Sequence, residues 1–245
     1  MNIALIGHGR TGKEIERIAI QRKIAVKQVF TSKNNKNGKG ITGTSLKGID
    51  VCIDFSAPES VLANIRAVAA CRKNLVVGTT GWQKSLGEVK KLVTSGNIGF
   101  LYAPNFSVGM NVFASVLSSA LRSFNKFDEY DVAIHEIHHR DKTDSPSGTA
   151  LMLSAIVLEE FKKKKTILSE MAHQAVQPGQ LHVTSSRLGN VAGTHKILFD
   201  SAADSIELIH TAKNQSGFAL GAVIAAEWLN GKKGFYTMKD LLASL

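Results

Sequence analysis

Through the first hundred residues, short apolar runs alternate with amphipathic stretches. Asn2 to Ile6 is a continuous apolar run that stops at Gly7, after which Ile15, Ile18 and Ala19 recur at helical spacing. The same alternation follows: a strand from Ile24 to Phe30, a strand from Asp50 to Phe55, and a helix opened by Pro58 with Val61, Ile65 and Val68 on one face. A strand at Leu75 to Val77, a helix carrying Leu86, Val89 and Leu92, and a strand from Ile98 to Leu101 complete it. Strands regularly interleaved with helices predict an α/β fold with a Rossmann-type parallel sheet and a ligand crevice at the strand carboxyl ends.

Beyond Asn105 the period changes. A helix over Val108 to Phe124 leads to a strand ending at Ile134, a polar loop, and a second helix from about Ala150. Alternating strands follow at Leu181 to Leu188, Thr194 to Asp200 and Ser205 to Thr211, with turns at Gly189-Asn190 and Ala202-Ala203-Asp204. This predicts a second, α+β domain with a mostly antiparallel sheet. An apolar helix over Phe218 to Leu229 and a short amphipathic end over Phe235 to Leu242 close the chain.

The 245 residues, 44% of them hydrophobic, suffice for one large core or two modest ones. No apolar run is long enough to cross a bilayer, and Met1 leads straight into a strand with no basic, cleavable leader, so a cytoplasmic protein is expected. Cys52 and Cys71 lack the spacing of a disulfide framework or a zinc site. A net charge of +10 raises the question of nucleic acid, with Lys162 to Lys165 as the obvious patch. Those lysines fall at the end of a helix, where cations complement the dipole and solvate, and no nucleic-acid module accompanies them. The positive balance serves equally to attract an anionic cofactor and substrate.

Gly7-His8-Gly9-Arg10-Thr11-Gly12 lies between a strand and a helix, the context that makes three glycines a dinucleotide fingerprint. The same residues nearly form a P-loop, but Glu14 stands where a magnesium-binding Ser or Thr would be needed. No acidic residue occurs between Glu16 and Asp50, so the usual carboxylate partner of an NAD ribose is missing. Ser32 and Lys33 instead suit a 2′-phosphate, which points to NADPH, with NADH possible. Gly78-Thr79-Thr80 and Ala103-Pro104-Asn105-Phe106 follow predicted strands and are expected to line the nicotinamide side of the crevice.

From His135 to Ala150 the chain reads HEIHHRDKTDSPSGTA. His135, His138, His139, Arg140 and Lys142 precede Ser147, Gly148 and Thr149 at a helix start, whose free N–H groups and dipole suit a small carboxylate. His135, Glu136 and His139 also fit the H-E-x-x-H pattern of zinc peptidases. That pattern needs a helix, whereas the residues before it read as a strand, on which four residues span about 13 Å, too far for one metal to bridge. No metal is expected.

Taken in order, these motifs resemble the 4-hydroxy-tetrahydrodipicolinate reductase (dihydrodipicolinate reductase) family nearly end to end. The resemblance rests on Gly7 to Gly12, Asp54-Phe55-Ser56, Gly78 to Gly81, Ala103 to Gly109 and, above all, Glu136 to Lys142 with Pro146 to Ala150. It implies NAD(P)H-dependent reduction of a cyclic dicarboxylate imine to tetrahydrodipicolinate in diaminopimelate and lysine biosynthesis. His138 and Lys142 match the family's catalytic pair, His139, Gly148 and Thr149 its carboxylate contacts with Ser147 alongside, and Gly78 to Thr80 and Ala103 to Phe106 its cofactor contacts. It further implies a dinucleotide-binding domain over residues 1–106 and 216–245, a substrate and oligomerisation domain over 107–215, and a homotetramer. Gln215 stands where many members carry an arginine, with Lys213 nearby to supply charge. A non-catalytic NADP(H)-binding regulator and a zinc peptidase are the competing readings.

Overall fold

The computed structural model describes residues 1–169, 172–214 and 216–244. They fall into two compact units, Met1–Asn111 with Gln215–Leu245, and Val112–Asn214. In chain order the elements are β1 (Asn2–Ile6), α1 (Arg10–Gln21), β2 (Ala25–Phe30), β3 (Val51–Asp54), α2 (Pro58–Ala70), β4 (Asn74–Val77), α3 (Leu86–Gly96) and β5 (Gly99–Tyr102). After them come α4 (Val108–Phe124), β6 (Asp131–His138), α5 (Gly148–Glu160), β7 (Thr166–Leu168), β8 (Gln180–Arg187), β9 (Thr194–Asp200) and β10 (Ser205–Thr211). The chain closes with α6 (Ser216–Leu229), β11 (Gly234–Tyr236) and α7 (Met238–Ala243).

The first unit holds a six-stranded sheet in the order β11-β5-β4-β3-β1-β2, parallel throughout. Its strands are apolar on both faces because helices cover both. Ile3, Leu5, Val51 and Ile53 pack with α1 and α6, while Ala4, Ile6 and Cys52 pack with α2 and α3. β1 lies between β2 and β3, so chain direction across the sheet reverses there and a crevice opens beyond the carboxyl ends of β1 and β3. The amphipathic end resolves into two elements, β11 and α7. Phe235 of β11 stacks on Phe100, and a capping box between Thr237 and Asp240 starts α7.

The second unit holds a five-stranded sheet in the order β10-β9-β6-β8-β7. Its antiparallel pairings, β6 with β9 and β9 with β10, run over seven residues each, and its parallel pairings, β6 with β8 and β7 with β8, over five and three. β8 and β9, though adjacent in sequence, flank β6 instead of pairing with each other. This central position delivers residues from both neighbours to the carboxyl end of β6.

The lysine run after α5 is only in part the solvated helix end that its composition suggests: Lys162 and Lys165 are exposed. Lys164 is buried, donating to the Pro178 and Gln180 carbonyl oxygens and paired with Asp131 at 2.6 Å. Among the described residues no helix is long and apolar enough to cross a membrane.

Candidate active site

In the first unit the crevice is built by backbone. A Cβ on Gly7, whose φ is +92°, would meet the Phe55 carbonyl oxygen, and one on Gly12 would meet the Gly7 carbonyl oxygen, so β1 and α1 join through a turn only glycine permits. Gly9 has open space where a Cβ would stand, so backbone there can be approached closely. It begins α1 with no side-chain cap, leaving first-turn amides for an anion. Gly9, Arg10, Thr11, Gly78, Thr79 and Thr80 line one groove. Gly7, His8, Gly9 and Ser32 line another, joined by Asn35 and Lys36. Lys33 does not line it; its N–H turns back to Thr31 Oγ1.

These loops are tied together beneath the grooves. Buried Asp54 accepts from the Ser56 N–H and hydroxyl, Asn64 and Thr79, at 2.6 to 2.9 Å. Asn64 in turn accepts from Asn35. Burial pushes the Asp54 carboxyl above its ordinary range, and the hydrogen bonds from Ser56, Asn64 and Thr79, all uncharged, only partly oppose this. Ala103 and Phe106 belong to the core and line neither groove, Pro104 is exposed, and Asn105 accepts from the Ser107 N–H.

In the second unit β6 carries one buried face, Val132, Ile134, Glu136 and His138, so an apolar stripe ends in two ionisable groups. Register supplies their neighbours: Glu136 lies opposite Ser185 on β8 and His195 on β9, and His138 lies opposite Arg187. Glu136 Oε1 accepts from Ser185 Oγ at 2.8 Å, from the Ser147 N–H at 3.0 Å and from Arg187 at 3.5 Å. Glu136 Oε2 faces His138 Nδ1 at 3.4 Å and His195 Nε2 at 3.6 Å. Burial alone would raise the Glu136 carboxyl, but His195, Ser147 and Ser185 overcome it and hold the group far below the usual carboxylate range. His138 is pushed down by burial, with Glu136 opposing this and the neighbouring His195, Lys142 and Arg187 adding to it.

Ser147 caps α5, its Oγ accepting from the Ala150 N–H and its carbonyl from the Leu151 N–H. With its own N–H on Glu136, the Gly148 and Thr149 N–H groups remain without a partner among the described residues. Gly148 is exposed, and a Cβ there would meet nothing within 4 Å. His139 is half-buried at the start of the loop, and Lys142 Nζ donates to Asp144 at 2.7 Å. Arg187 braces this loop through the carbonyl oxygens of Lys142 and Asp144. Gln215 lies outside the described residues, and Lys213 is exposed.

The H-E-x-x-H reading fails because β6 is extended: His135 and Glu136 point to opposite faces, and His135 bonds Thr184 across the sheet. Glu136, His138 and His195 do bring donor atoms within 4.8 Å of one another. The adjacent Arg187 and Lys142 oppose a dication. The sequence left Ser185, Arg187 and His195 unread because they lie about 50 residues beyond Glu136 and reach it only through strand register.

A family described as "Dihydrodipicolinate reductase, N-terminus" matches residues 1–106, and its "C-terminus" counterpart matches 109–242. A 4-hydroxy-tetrahydrodipicolinate reductase of Christiangramia forsetii is 39% identical over 245 residues, covering 100% of this chain and 99% of the relative. One of Laribacter hongkongensis is 36% identical over 202 residues, 81% of this chain and 74% of the relative. A dipicolinate-bound dihydrodipicolinate reductase from Paenisporosarcina sp. TG-14 shares the fold, with a TM-score of 0.79 at 22% identity over 98% of this chain and 99% of that one. The chain belongs to the dihydrodipicolinate reductase family and is an NAD(P)H-dependent oxidoreductase of lysine and diaminopimelate biosynthesis.

Proposed function

We propose that the dinucleotide-binding domain expected over 1–106 and 216–245 binds NADPH and that the domain expected over 107–215 binds and protonates the cyclic dicarboxylate imine. The observation that carries the second assignment is the pair of unpartnered N–H groups at Gly148 and Thr149, set on a helix start whose cap is anchored to the residue beside His138. One substrate carboxylate sits on those amides with Ser147, and the other is met by His139 and Lys142. His138 and Lys142 supply the proton as the ring is reduced; general acid assistance of this kind contributes about 10² to 10⁴ in rate. Asp144 holds the Lys142 ammonium in place until the substrate arrives.

The turn at Gly7 to Gly12 fits a pyridine nucleotide, and the reduced nicotinamide, when bound, supplies the hydride. Gly9, Arg10 and Thr11 hold its phosphates, and Gly78, Thr79 and Thr80 border the nicotinamide end, with Pro104 and Asn105 the residues of the Ala103 to Phe106 loop left outside the core to approach it. Ser32 and Lys36, which line the groove, take the 2′-phosphate, with Lys33 on the same turn adding charge. This supports NADPH over NADH and is tested by kcat/KM with each. We expect NADPH to be favoured at least about tenfold, and Lys36→Ala to erase most of that preference through one lost charge-assisted contact worth about 1.5–3 kcal/mol. A clear preference for NADH would overturn this reading.

The assembly we propose is a homotetramer built through the second sheet, in the cytoplasm. β10 is an edge strand that exposes Ile206 and Ile209, an unpaired apolar edge of the kind another chain covers. Light scattering should return about four times 26.4 kDa.

A further inference from the structure

Glu136 reaches both halves of the second unit's chemistry. Its Oε1 takes the Ser147 N–H, Ser185 and Arg187, whereas its Oε2 is buried with no hydrogen-bond partner among the described residues and faces the Nδ1 edge of His138 at 3.4 Å. His138 Nδ1 is likewise buried without a partner. We propose that Glu136 is the positioning residue of the proton step: its Oε2 fixes which nitrogen of His138 carries the mobile proton, while its Oε1 fixes the helix start that receives the substrate carboxylate. The inference rests on the reading of His138 as a proton-handling group.

Glu136 Oε2 and His138 Nδ1 stand 3.4 Å apart without a hydrogen bond, but an ionised carboxylate can only accept, so a hydrogen on Nδ1 is favoured over a lone pair facing it. The neutral ring is therefore the Nδ1–H tautomer, and the mobile proton enters and leaves at Nε2. Nε2 is the edge against Gly193, where a Cβ would come within 2.9 Å. The charged and titratable groups facing His138 are Glu136 on its own strand, His195 from β9, Arg187 from β8 and Lys142 from the loop, and Glu136 is the anion among them. His195 Nε2 stands 3.6 Å from the same oxygen and also contacts Ser147 Oγ at 3.3 Å, so two imidazoles face the carboxylate. A dianionic substrate reaching Gly148 and Thr149 adds negative charge beside His138 and favours its protonation. Binding and proton uptake are thereby linked through one carboxylate.

Glu136→Gln tests this with the least disturbance to the fold. The amide oxygen can still accept from Ser147 and Ser185, but the –NH2 now turns a donor toward Nδ1, and the ring must adopt the opposite tautomer. In the full-length enzyme we expect kcat to fall about a hundredfold, with KM for the imine changed by no more than about threefold, since the Ser147 N–H keeps an acceptor. The His138 ring, followed by NMR and assigned with His138→Asn, should titrate at least about one pH unit lower in Glu136→Gln, because its only facing anion is gone. Proton uptake on binding dipicolinate near neutral pH, read by calorimetry in buffers of different ionisation enthalpy, should shrink accordingly. A merely structural Glu136 would lower stability and leave the His138 titration where it is. An inactive His138→Asn together with an unmoved titration and undiminished kcat in Glu136→Gln would overturn the assignment of Glu136 alone. A His138→Asn enzyme with normal turnover would overturn it through the reading of His138 beneath it.

Discussion

Each unit buries one carboxylate at its candidate site, and the two are perturbed in opposite directions. Asp54 is raised by burial, which the hydrogen bonds from Ser56, Asn64 and Thr79 only partly oppose. Glu136 is held low because His195 and the hydrogen bonds from Ser147 and Ser185 overcome its burial, with Arg187 at the edge of reach. The difference matches what each unit has to do. A nucleotide site presents amides to phosphates and needs its loops latched, which neutral hydrogen bonds accomplish. A proton-transfer site needs a fixed charge beside a titrating ring, which only a carboxylate kept ionised provides.

The largest test of that contrast removes charge from the second unit alone. Lys142→Ala should lower kcat a hundredfold or more while the dissociation constant for NADPH, measured by fluorescence titration, stays within about twofold. Retained turnover would remove Lys142 from the chemistry. A smaller effect is expected from Gly193→Ala. Gly193 has φ +154°, and its Cβ would press on His138 Nε2 at 2.9 Å, so kcat should drop about tenfold with nucleotide affinity unchanged. An unaltered kcat would mean that His138 does not have to stay where it is found.

The smallest effect is on stability, and its sign separates the two carboxylates. Glu136 has a folded-state value below its ordinary 4.5, so its contribution is present above that pH and is lost as pH falls. Asp54 has a folded-state value above its ordinary 3.8, so its contribution is full below that pH and is lost as pH rises through the raised value. Hydrogen exchange corrected for intrinsic rates should therefore show β6, β8 and β9 losing protection below about pH 4.5, by up to about 1.4 kcal/mol per pH unit for one proton. Glu136→Gln should flatten that slope in the second unit and leave the first unit's response unchanged. A slope that persists in the variant would assign the acid sensitivity to another group.

The same contrast explains which parts could be read from the chain. β9, β10 and α4 were legible to the residue because period-2 and period-3.6 patterns end at clear turn signals. The nucleotide turn was legible because glycine spacing encodes backbone geometry directly. β11 escaped: its three residues carry no alternation, and only pairing with β5 makes them a strand. Glu136 was visible only as part of a misleading peptidase pattern, since what gives it meaning is register with Ser185 and His195. Lys36 carried no signal of its own because only the turn after β2 brings it into the groove.

The most direct measurement of the central claim is the loss of reduced-nicotinamide absorbance when the condensation product of aspartate semialdehyde and pyruvate is added to the enzyme with NADPH. Oxidation of one NADPH per substrate, abolished by dipicolinate and nearly abolished in Lys142→Ala, is the expected result. Absence of substrate-dependent oxidation with either NADPH or NADH would contradict the account.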